Sequence, residues 1–412
     1  MKVFKFGGAS VKDAEGVRNV ATVLQRQDVH PCLLVVSAMG KTTNALEEVI
    51  KLYFEKGDYF SAVDKIINSH LQTAAELFTK DAPIMRELQE IADDLLNFLR
   101  KNKSPNYSYV YDQTVSTGEL LSSRILSEYL NSAGYSNQWL DAREYIKTDE
   151  NYREGNVQWQ ITLGNIGDLN RSQSYVTQGF IGSDPNNFTT TLGREGSDYS
   201  AAVFAYGLDA ESLTIWKDVP GVMTGDPRKF SDVQLLDSIS YEDAIEMAYF
   251  GASVIHPKTL QPLQKKNIPF YVKSFLEPDQ AGTRVSGSGN SSNLPSYILK
   301  ENQFLVHIAT RDFSFIAEEH ISQIFNLLAK YQIKVSLMQN TAISLALCLE
   351  DKYGHLEDFN RDLNAGFTTE MTAGVSLFTV RNAGPEDVTR YCADKEILLE
   401  QISHNTVQMV IR

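Results

Sequence analysis

The chain has 412 residues, 42% of them hydrophobic, with 25 Gly, 12 Pro and three Cys. This excludes a disordered chain, a collagen-like repeat and a disulfide-stapled small domain, and the length suits two or three domains. Lys and Arg number 38 against 52 Asp and Glu, a formal charge of −14, which argues against nonspecific binding to nucleic acid or to an anionic membrane while leaving room for a local basic cleft that holds phosphates.

In chain order, Val3 to Phe6 reads as a short strand broken by Gly7-Gly8. A helix follows over Asp13 to Arg26, with Val17, Val20 and Val23/Leu24 at helical spacing, and Cys32 to Val36 is a second strand. Strand, glycine turn, helix, strand opens an α/β domain whose parallel strands are buried on both faces. Residues 44 to 100 are helical in pattern, clearest at Leu88, Ile91, Leu95/Leu96 and Leu99. Thr117-Gly118-Glu119 is expected to precede a helix, Gln138 to Leu140 to be a strand, and residues 174 to 182 (SYVTQGFIG) a strand ending in glycine. After a polar turn and a Thr-rich stretch, Ser197-Asp198 sits where a helix N-cap belongs. Leu213 to Trp216 is a strand, Tyr241 to Phe250 and Pro257 to Lys265 are helices separated by Val254-Ile255, and Phe270 to Val272 closes the α/β pattern.

Composition shifts at Glu277 to Ser296, where Gly, Ser, Asn and Pro dominate as in a domain link. Beyond it lie strands at Phe304 to Ile308, Lys334 to Met338 and Ile343 to Leu349, with helices at Ile316 to Leu328 and Leu356 to Leu363. A shorter cycle follows: Val375 to Val380, an acidic helix near Glu386 to Cys392, Ile397 to Ile402 and Val407 to Ile411. Two βαββ-like units point to a pair of small antiparallel modules, the last one shortened. Cys32, Cys348 and Cys392 form no CxxC pair, so a reducing compartment is expected. The start has no signal-peptide core and no apolar run reaches roughly 18 residues, so the expected location is the cytoplasm, with no membrane contact.

Several stretches carry chemistry. Lys5-Phe6-Gly7-Gly8-Ala9-Ser10 lacks the GKS/GKT of a Walker loop and the three-glycine dinucleotide fingerprint. A lysine at a strand end beside two glycines either presents a charge and free N–H groups to phosphate oxygens or is a plain turn with a surface lysine. In Gly193 to Asp198, Arg194 offers paired donors at a helix start, and Asp198 is either a cap or the holder of a lysine. Asp218 and Arg228 follow a strand end, where α/β proteins bind ligands, although two turns rich in Asp, Pro and Gly account for the same residues. Glu119 suits an ammonium group or a first helical turn, and Ser37 and Thr43 suit a carboxylate. His256 reads as structural, and no His/Cys/Asp set has metal-ligand spacing.

Taken together, KFGGAS, VVSAMGKTTNAL, STGEL, GFIG, LGREGSD, TIWKDVPGVMTGDPR, FGASVIHPKTL and the AGT at 281 to 283 resemble the aspartate kinases of the amino-acid kinase family, in family order. The resemblance implies a three-layer αβα catalytic domain with a mainly parallel sheet at 1–276, a linker at 277–297, and two ACT (ferredoxin-like) modules at 298–372 and 373–412. It implies that the γ-phosphoryl group of MgATP passes to the β-carboxylate of L-aspartate, giving 4-phospho-L-aspartate at the entrance to lysine, threonine and methionine synthesis. Lys5 and Asp198 would then be catalytic, and Ser37, Thr43, Glu119, Arg194 and Ser197 would bind aspartate. Gly7, Gly8, Ser10, Trp216, Lys217, Asp218, Met223, Arg228, Ser253 and Lys258, with Lys5, would hold ATP, its Mg2+ bound mainly through the phosphates. Ser336, Gln339 and Asn340 match the effector segment of the ACT modules, for lysine or threonine, and those modules imply a homodimer.

Departures from the family pattern are Glu195 for a glycine, Lys217 for a threonine, Met223 for an aromatic residue, Ser253 for a lysine and Ser336 for an acid. A side chain at Glu195 costs about 1 kcal/mol or more if that position needs a positive φ. The alternatives are another amino-acid kinase with a related carboxylate substrate, or a catalytically weak paralogue that binds amino acids and regulates a partner.

Overall fold

Val3, Phe4 and Phe6 make Lys2–Phe6 (β1) a buried strand that carries Lys5 within it, and Cys32–Val36 (β2), apolar and buried at all five positions, pairs parallel to it. The computed structural model describes residues 1–251, 255–287, 289, 294–312, 314–382, 384, 391–392 and 394–412. Between β1 and β2, a 3-10 turn at Gly8–Val11 leads into Ala14–Gln27 (α1), whose first turn is capped by Asp13, accepting from Gly16 N at 2.8 Å.

The predicted helical stretch is Thr42–Phe54 (α2), Tyr59–Leu77 (α3) and Pro83–Lys101 (α4). Tyr107–Ser132 (α5) corrects the sequence reading: Thr117-Gly118-Glu119 lies in the middle of a 26-residue helix, not ahead of one. α5 is buried around most of its girth, so it lacks the single apolar stripe that marks a helix in sequence. Gln138–Leu140 (β3), Ala142–Tyr145 (α6) and Trp159–Gly167 (α7) follow. The stretch expected as one strand ending in glycine is two, Tyr175–Gln178 (β4) and Ile181–Ser183 (β5), separated by Phe180 at φ 72°. β5 pairs with Thr189–Thr191 (β6) in a separate hairpin. Gly196–Gly207 (α8), Leu213–Lys217 (β7), Ser238–Ser240 (β8), Tyr241–Phe250 (α9), Pro257–Lys266 (α10), Phe270–Ser274 (β9) and Thr283–Ser286 (β10) complete this part.

The main sheet runs β3-β4-β2-β1-β7-β9-β10-β8 and is parallel except where β9 meets β10. β10 is a correction: part of the stretch expected to be a linker is built into the sheet, with Val285 fully buried. The expected Val254-Ile255 run has Val254 outside the described residues.

Two units result. The first holds Met1–Val222 and Leu235–Ala248 with α10, β9 and β10; the second holds Met223–Gln234 and the C-terminal strands. In the second, Ser296–Thr310 (β11), Glu318–Lys330 (α11), Lys334–Asn340 (β12), Ser344–Glu350 (β13), Leu356–Leu363 (α12), Phe367–Arg381 (β14), Ile397–Ser403 (β15) and Thr406–Ile411 (β16) form one antiparallel sheet, β12-β13-β11-β14-β16-β15. β13 is apolar on both sides: Leu345, Leu347 and Leu349 join a core with residues of α11 and α12, and Ala346 and Cys348 join another with Leu377, Leu399 and Val410.

The two small modules thus share a sheet. Gln303 to Thr310 pairs with the first half of β14, and Ser296 to Lys300 with its second half. A boundary at 372/373 falls inside one continuous strand. Most of the expected acidic helix near Glu386 lies outside the described residues.

Candidate active site

The C-terminal ends of β1, β2, β4 and β7 lie side by side in the sheet, where parallel α/β sheets bind ligands. The loops after β1 and β2 are zipped together. Ser37 N donates to Phe6 O at 3.1 Å and Gly40 N to Gly8 O at 3.0 Å. A Cβ on Gly8 would stand 2.7 Å from Ala38 O, so only glycine permits this approach. Ser10, in the 3-10 turn, is buried, and its Oγ has no hydrogen-bond partner among the described residues.

Lys5 is itself buried, and its Nζ forms an ion pair with Asp198 Oδ1 at 2.6 Å. Lys217, at the end of β7, places its Nζ 3.6 Å from Asp198 Oδ2. Burial alone would raise the Asp198 carboxyl, but Lys5 and then Lys217 outweigh it and hold it below the ordinary range. Asp198 is therefore not the helix cap that its sequence position suggests. The N-cap is Glu195, at φ 53°, and Asp198 lies in the first turn of α8 with Ser197. The left-handed conformation that a glycine would favour is real at Glu195.

Glu119 faces the loop after β2. Its Oε1 accepts from Ala38 N at 3.4 Å, and its Oε2 has no partner among the described residues. Burial pushes its carboxyl up to about 8. One turn on, Ser122 Oγ donates to Ser37 O at 2.7 Å, so α5 is pinned to the loop that carries Ser37. Thr43, half-buried, sits in the first turn of α2. Glu119 thus lies against the loop that carries Ser37, and Lys5 meets Asp198.

Arg194 is exposed in the turn before α8. The approach to that turn is fixed by a residue the sequence did not flag. Asp112 of α5 accepts from Arg153 N and Thr191 N at 2.9 Å each and from Thr191 Oγ1 at 2.8 Å. Burial pushes its carboxyl up to about 6 despite these donors. Nothing in sequence singles out one acid in a helix; its role exists only once β6 is folded against it. Asp112→Ala, which strands these donors, should lower the melting temperature by several degrees, as a thermal melt would check.

Gly179 shows equal closeness: a Cβ there would lie 2.5 Å from Ser197 Cβ and 2.7 Å from its Cα. Gly179→Ala must push the start of α8 away from β4, so turnover should fall at least about tenfold, because misplacing a reacting group by about 1 Å can cost 100-fold. An unchanged rate would detach the position of α8 from catalysis.

Other expected residues are placed differently. The Trp216 ring is a core ring, fully buried, stacked on Phe6 at 6.0 Å and edge-on to Phe4 at 5.8 Å, so it offers no face to a nucleotide. Asp218 is exposed just past β7. Lys258, in the first turn of α10, lines a cavity of about 520 Å³ with Trp159, Tyr199 and Tyr206. His256 caps α10, its Nδ1 accepting from Lys258 N at 3.2 Å, a structural role. Met223 and Arg228 belong to the second unit, where Arg228 forks onto Asp226 at 2.9 and 2.8 Å. Ser253 lies outside the described residues. On β12, Ser336 donates to Gln303 Oε1 at 3.0 Å, Gln339 Nε2 to Glu400 O at 3.3 Å, and Asn340 is exposed.

Among the described residues no group of three or more His, Cys, Asp or Glu is placed to hold a metal ion, and no helix is long and apolar enough to cross a membrane.

Residues 1–274 match the amino acid kinase family. The chain is 33% identical over 353 residues to the lysine-sensitive aspartokinase 3 of Escherichia coli, covering 84% of this chain and 78% of that protein. The chain belongs to the aspartokinases of the amino acid kinase family. A bifunctional aspartokinase/homoserine dehydrogenase of Daucus carota is 29% identical over 398 residues, and the chain spans 42% of its length. Among solved structures, E. coli aspartokinase III in complex with aspartate and ADP (R-state) superposes with a TM-score of 0.86 at 28% identity, covering all of this chain and 96% of that one. The lysine and aspartate complex of the same enzyme (T-state) gives 0.81. The fold is thus an amino-acid kinase domain followed by two ACT-like modules, as the motifs imply.

Proposed function

We propose that this chain is an ATP-dependent aspartate kinase that phosphorylates the β-carboxylate of L-aspartate to give 4-phospho-L-aspartate. The observation that carries this reading is the buried Lys5–Asp198–Lys217 cluster at the C-terminal end of the sheet, with Glu119 buried beside the neighbouring loop. The relative that superposes over the whole chain binds aspartate and ADP.

The residues fit a nucleotide phosphate. Gly8 leaves backbone bare between the two loops, and the buried Ser10 hydroxyl is an uncommitted donor. Magnesium arriving with the phosphates supplies neutralising charge. Lys5 meets the transferred phosphoryl group, and Asp198 keeps its ammonium oriented. Glu119 receives the substrate ammonium, Arg194 a carboxylate, and Ser37, Thr43 and Ser197 the remaining acceptor oxygens. Asp218, just past the end of β7, belongs to the nucleotide side. The β-carboxylate is ionised at neutral pH and attacks γ-phosphorus directly, the bond to the β,γ-bridging oxygen breaks, and ADP leaves with that electron pair. No general base is needed. Positioning and charge stabilisation provide the rate.

The second unit, on this reading, binds an amino-acid effector near Ser336, Gln339 and Asn340 and pairs two copies of the chain. Ser336 brings a hydroxyl already given to Gln303, so an effector's ammonium finds no acid at that position.

Trapping with hydroxylamine tests the function. MgATP and L-aspartate should yield aspartyl hydroxamate in step with ADP, and glutamate far less. A folded protein that binds aspartate but makes no ADP would replace this reading with that of a regulatory paralogue.

A further inference from the structure

α3 turns a histidine inward. His70 is 3% exposed and shares the buried face of its helix with Val63, Ile66, Ile67 and Ala74. Its Nδ1 lies 2.7 Å from Ile66 O, one turn back. A carbonyl oxygen only accepts, so Nδ1 carries the proton and Nε2 keeps a bare lone pair. That Nε2 is buried and has no hydrogen-bond partner among the described residues. Burial pushes the imidazole below its ordinary range, which keeps the ring neutral at neutral pH. Buried polar atoms are nearly always satisfied, by protein, by water or by a ligand. Here the donor has to come from outside the chain.

There is room for one. His70 lines a cavity of about 300 Å³ together with Lys12, Met39, Gly40, Lys41 and Lys65. With Nδ1 turned back to its own helix, Nε2 takes the outward edge of the ring, toward this space. The rim is cationic. Among the described residues Lys12 reaches only Asp13, at 3.9 Å, and neither Lys41 nor Lys65 is ion-paired. All three lysines are exposed, so their ammonium groups can swing onto an ion. α2 starts at the same rim, with Lys41 as its N-cap and no side chain capping it, which adds the positive end of a helix. None of Lys5, Ser37, Thr43, Glu119, Arg194 and Asp198 lines the cavity, so it is separate from the centre described above.

The two features select a ligand together. The lysines attract an oxyanion, and the bare lone pair beneath them requires that the oxyanion bring a proton. Hydrogen phosphate carries one near pH 8, whereas sulfate and the dianion of a phosphomonoester carry none. We propose that this cavity is a binding site for inorganic phosphate, in which the hydroxyl of the hydrogen phosphate dianion donates to His70 Nε2 while Lys12, Lys41 and Lys65 neutralise its other oxygens. Met39, Gly40 and Lys41 belong to the loop between Ser37 and Thr43, so the bound ion joins that loop to α3.

Equilibrium dialysis of radiolabelled orthophosphate against the full-length protein near pH 8, at constant ionic strength set with chloride, tests this. The wild type should retain phosphate, and arsenate, which also keeps a proton at that pH, should displace it. Sulfate and methyl phosphate should displace it at least about tenfold less well, because a site built around one hydrogen bond rejects the analogue that lacks it. His70→Phe should weaken binding at least about tenfold, and Lys5→Ala should leave the His70-dependent binding in place. If His70→Phe melts early, Lys65→Gln, a change at an exposed position, carries the test with an affinity lower by about threefold or more. Phosphate that survives His70→Phe and is lost in Lys5→Ala lies in the transfer centre and overturns the proposal. So does sulfate that competes as well as arsenate, an unchanged affinity in Lys65→Gln, or a wild-type protein that retains no phosphate.

Discussion

Lys5→Ala should lower kcat by about three orders of magnitude, at the upper end of what one preorganised charge contributes to a transition state. Lys5 stands on a central strand, buried, with its ammonium on the carboxylate of Asp198. It is rigid before substrate arrives, so its charge needs no reorganisation when negative charge shifts to the β,γ-bridging oxygen. The loss should fall on kcat, with the KM for aspartate little changed, because Lys5 serves the phosphoryl group and not the acceptor. Asp198 keeps Lys217 at 3.6 Å in the variant, so it is not left as a bare buried charge and the fold should persist; circular dichroism and a thermal melt verify this. A folded Lys5→Ala protein with wild-type kcat would put Lys5 outside the reaction path.

Glu119→Gln should raise the KM for aspartate about 100-fold near pH 8, the size of effect expected when one partner of a buried charge pair is removed. It should also abolish a pH dependence that the wild type shows. Burial holds the Glu119 carboxyl near 8, so below that pH the free protein carries it mainly as the neutral acid. An ammonium requires the carboxylate. Aspartate binding must then drive off a proton, and the KM should fall as pH rises from about 6.5 toward 8 and level off above it. Glutamine carries no proton to lose and should give a flat profile. The same shift acts on stability with a definite sign. The folded-state value lies above the unfolded one, and for an acid this makes the unfolded chain the one that releases its proton first. Glu119 therefore favours folding below about 4.5, and stability declines as pH rises from there to about 8, a slope that Glu119→Gln should remove. A pH-independent wild-type KM would separate Glu119 from the ammonium.

Much of this was readable in the chain. The strand ending at Val36 announces itself through an uninterrupted apolar run, the one ending at Phe6 through Val3, Phe4 and Phe6, and Gly8 through the turn that follows, since the physical cause of each is local. Misreadings came where the cause was distant. Thr117-Gly118-Glu119 looks like the lead into a helix, yet it is interior because α5 is wrapped by neighbours and needs no apolar stripe. Asp198 looks like a cap, but its carboxylate is drawn to Lys5 from a strand almost two hundred residues earlier. β10 hides in a Gly/Ser-rich stretch because four residues suffice for a strand once β9 and β8 flank it. Trp216 appears suited to a nucleotide until Phe6 is seen to occupy its face. Asp112 left no local sign at all, since its three donors come from Arg153 and Thr191. The left-handed backbone at Glu195 was foreseeable as a cost.

The claim on which the account depends is that one cleft, at the C-terminal edge of β1 and β2, receives both the nucleotide phosphates and the amino-acid acceptor. A crystal structure of the protein with ADP, magnesium and L-aspartate tests it most directly. The account predicts the Lys5 ammonium within hydrogen-bond distance of a phosphate oxygen, and the aspartate ammonium on Glu119 with its β-carboxylate turned toward the nucleotide. Aspartate bound away from Glu119, or phosphates held out of reach of both Lys5 and Lys217, would contradict it.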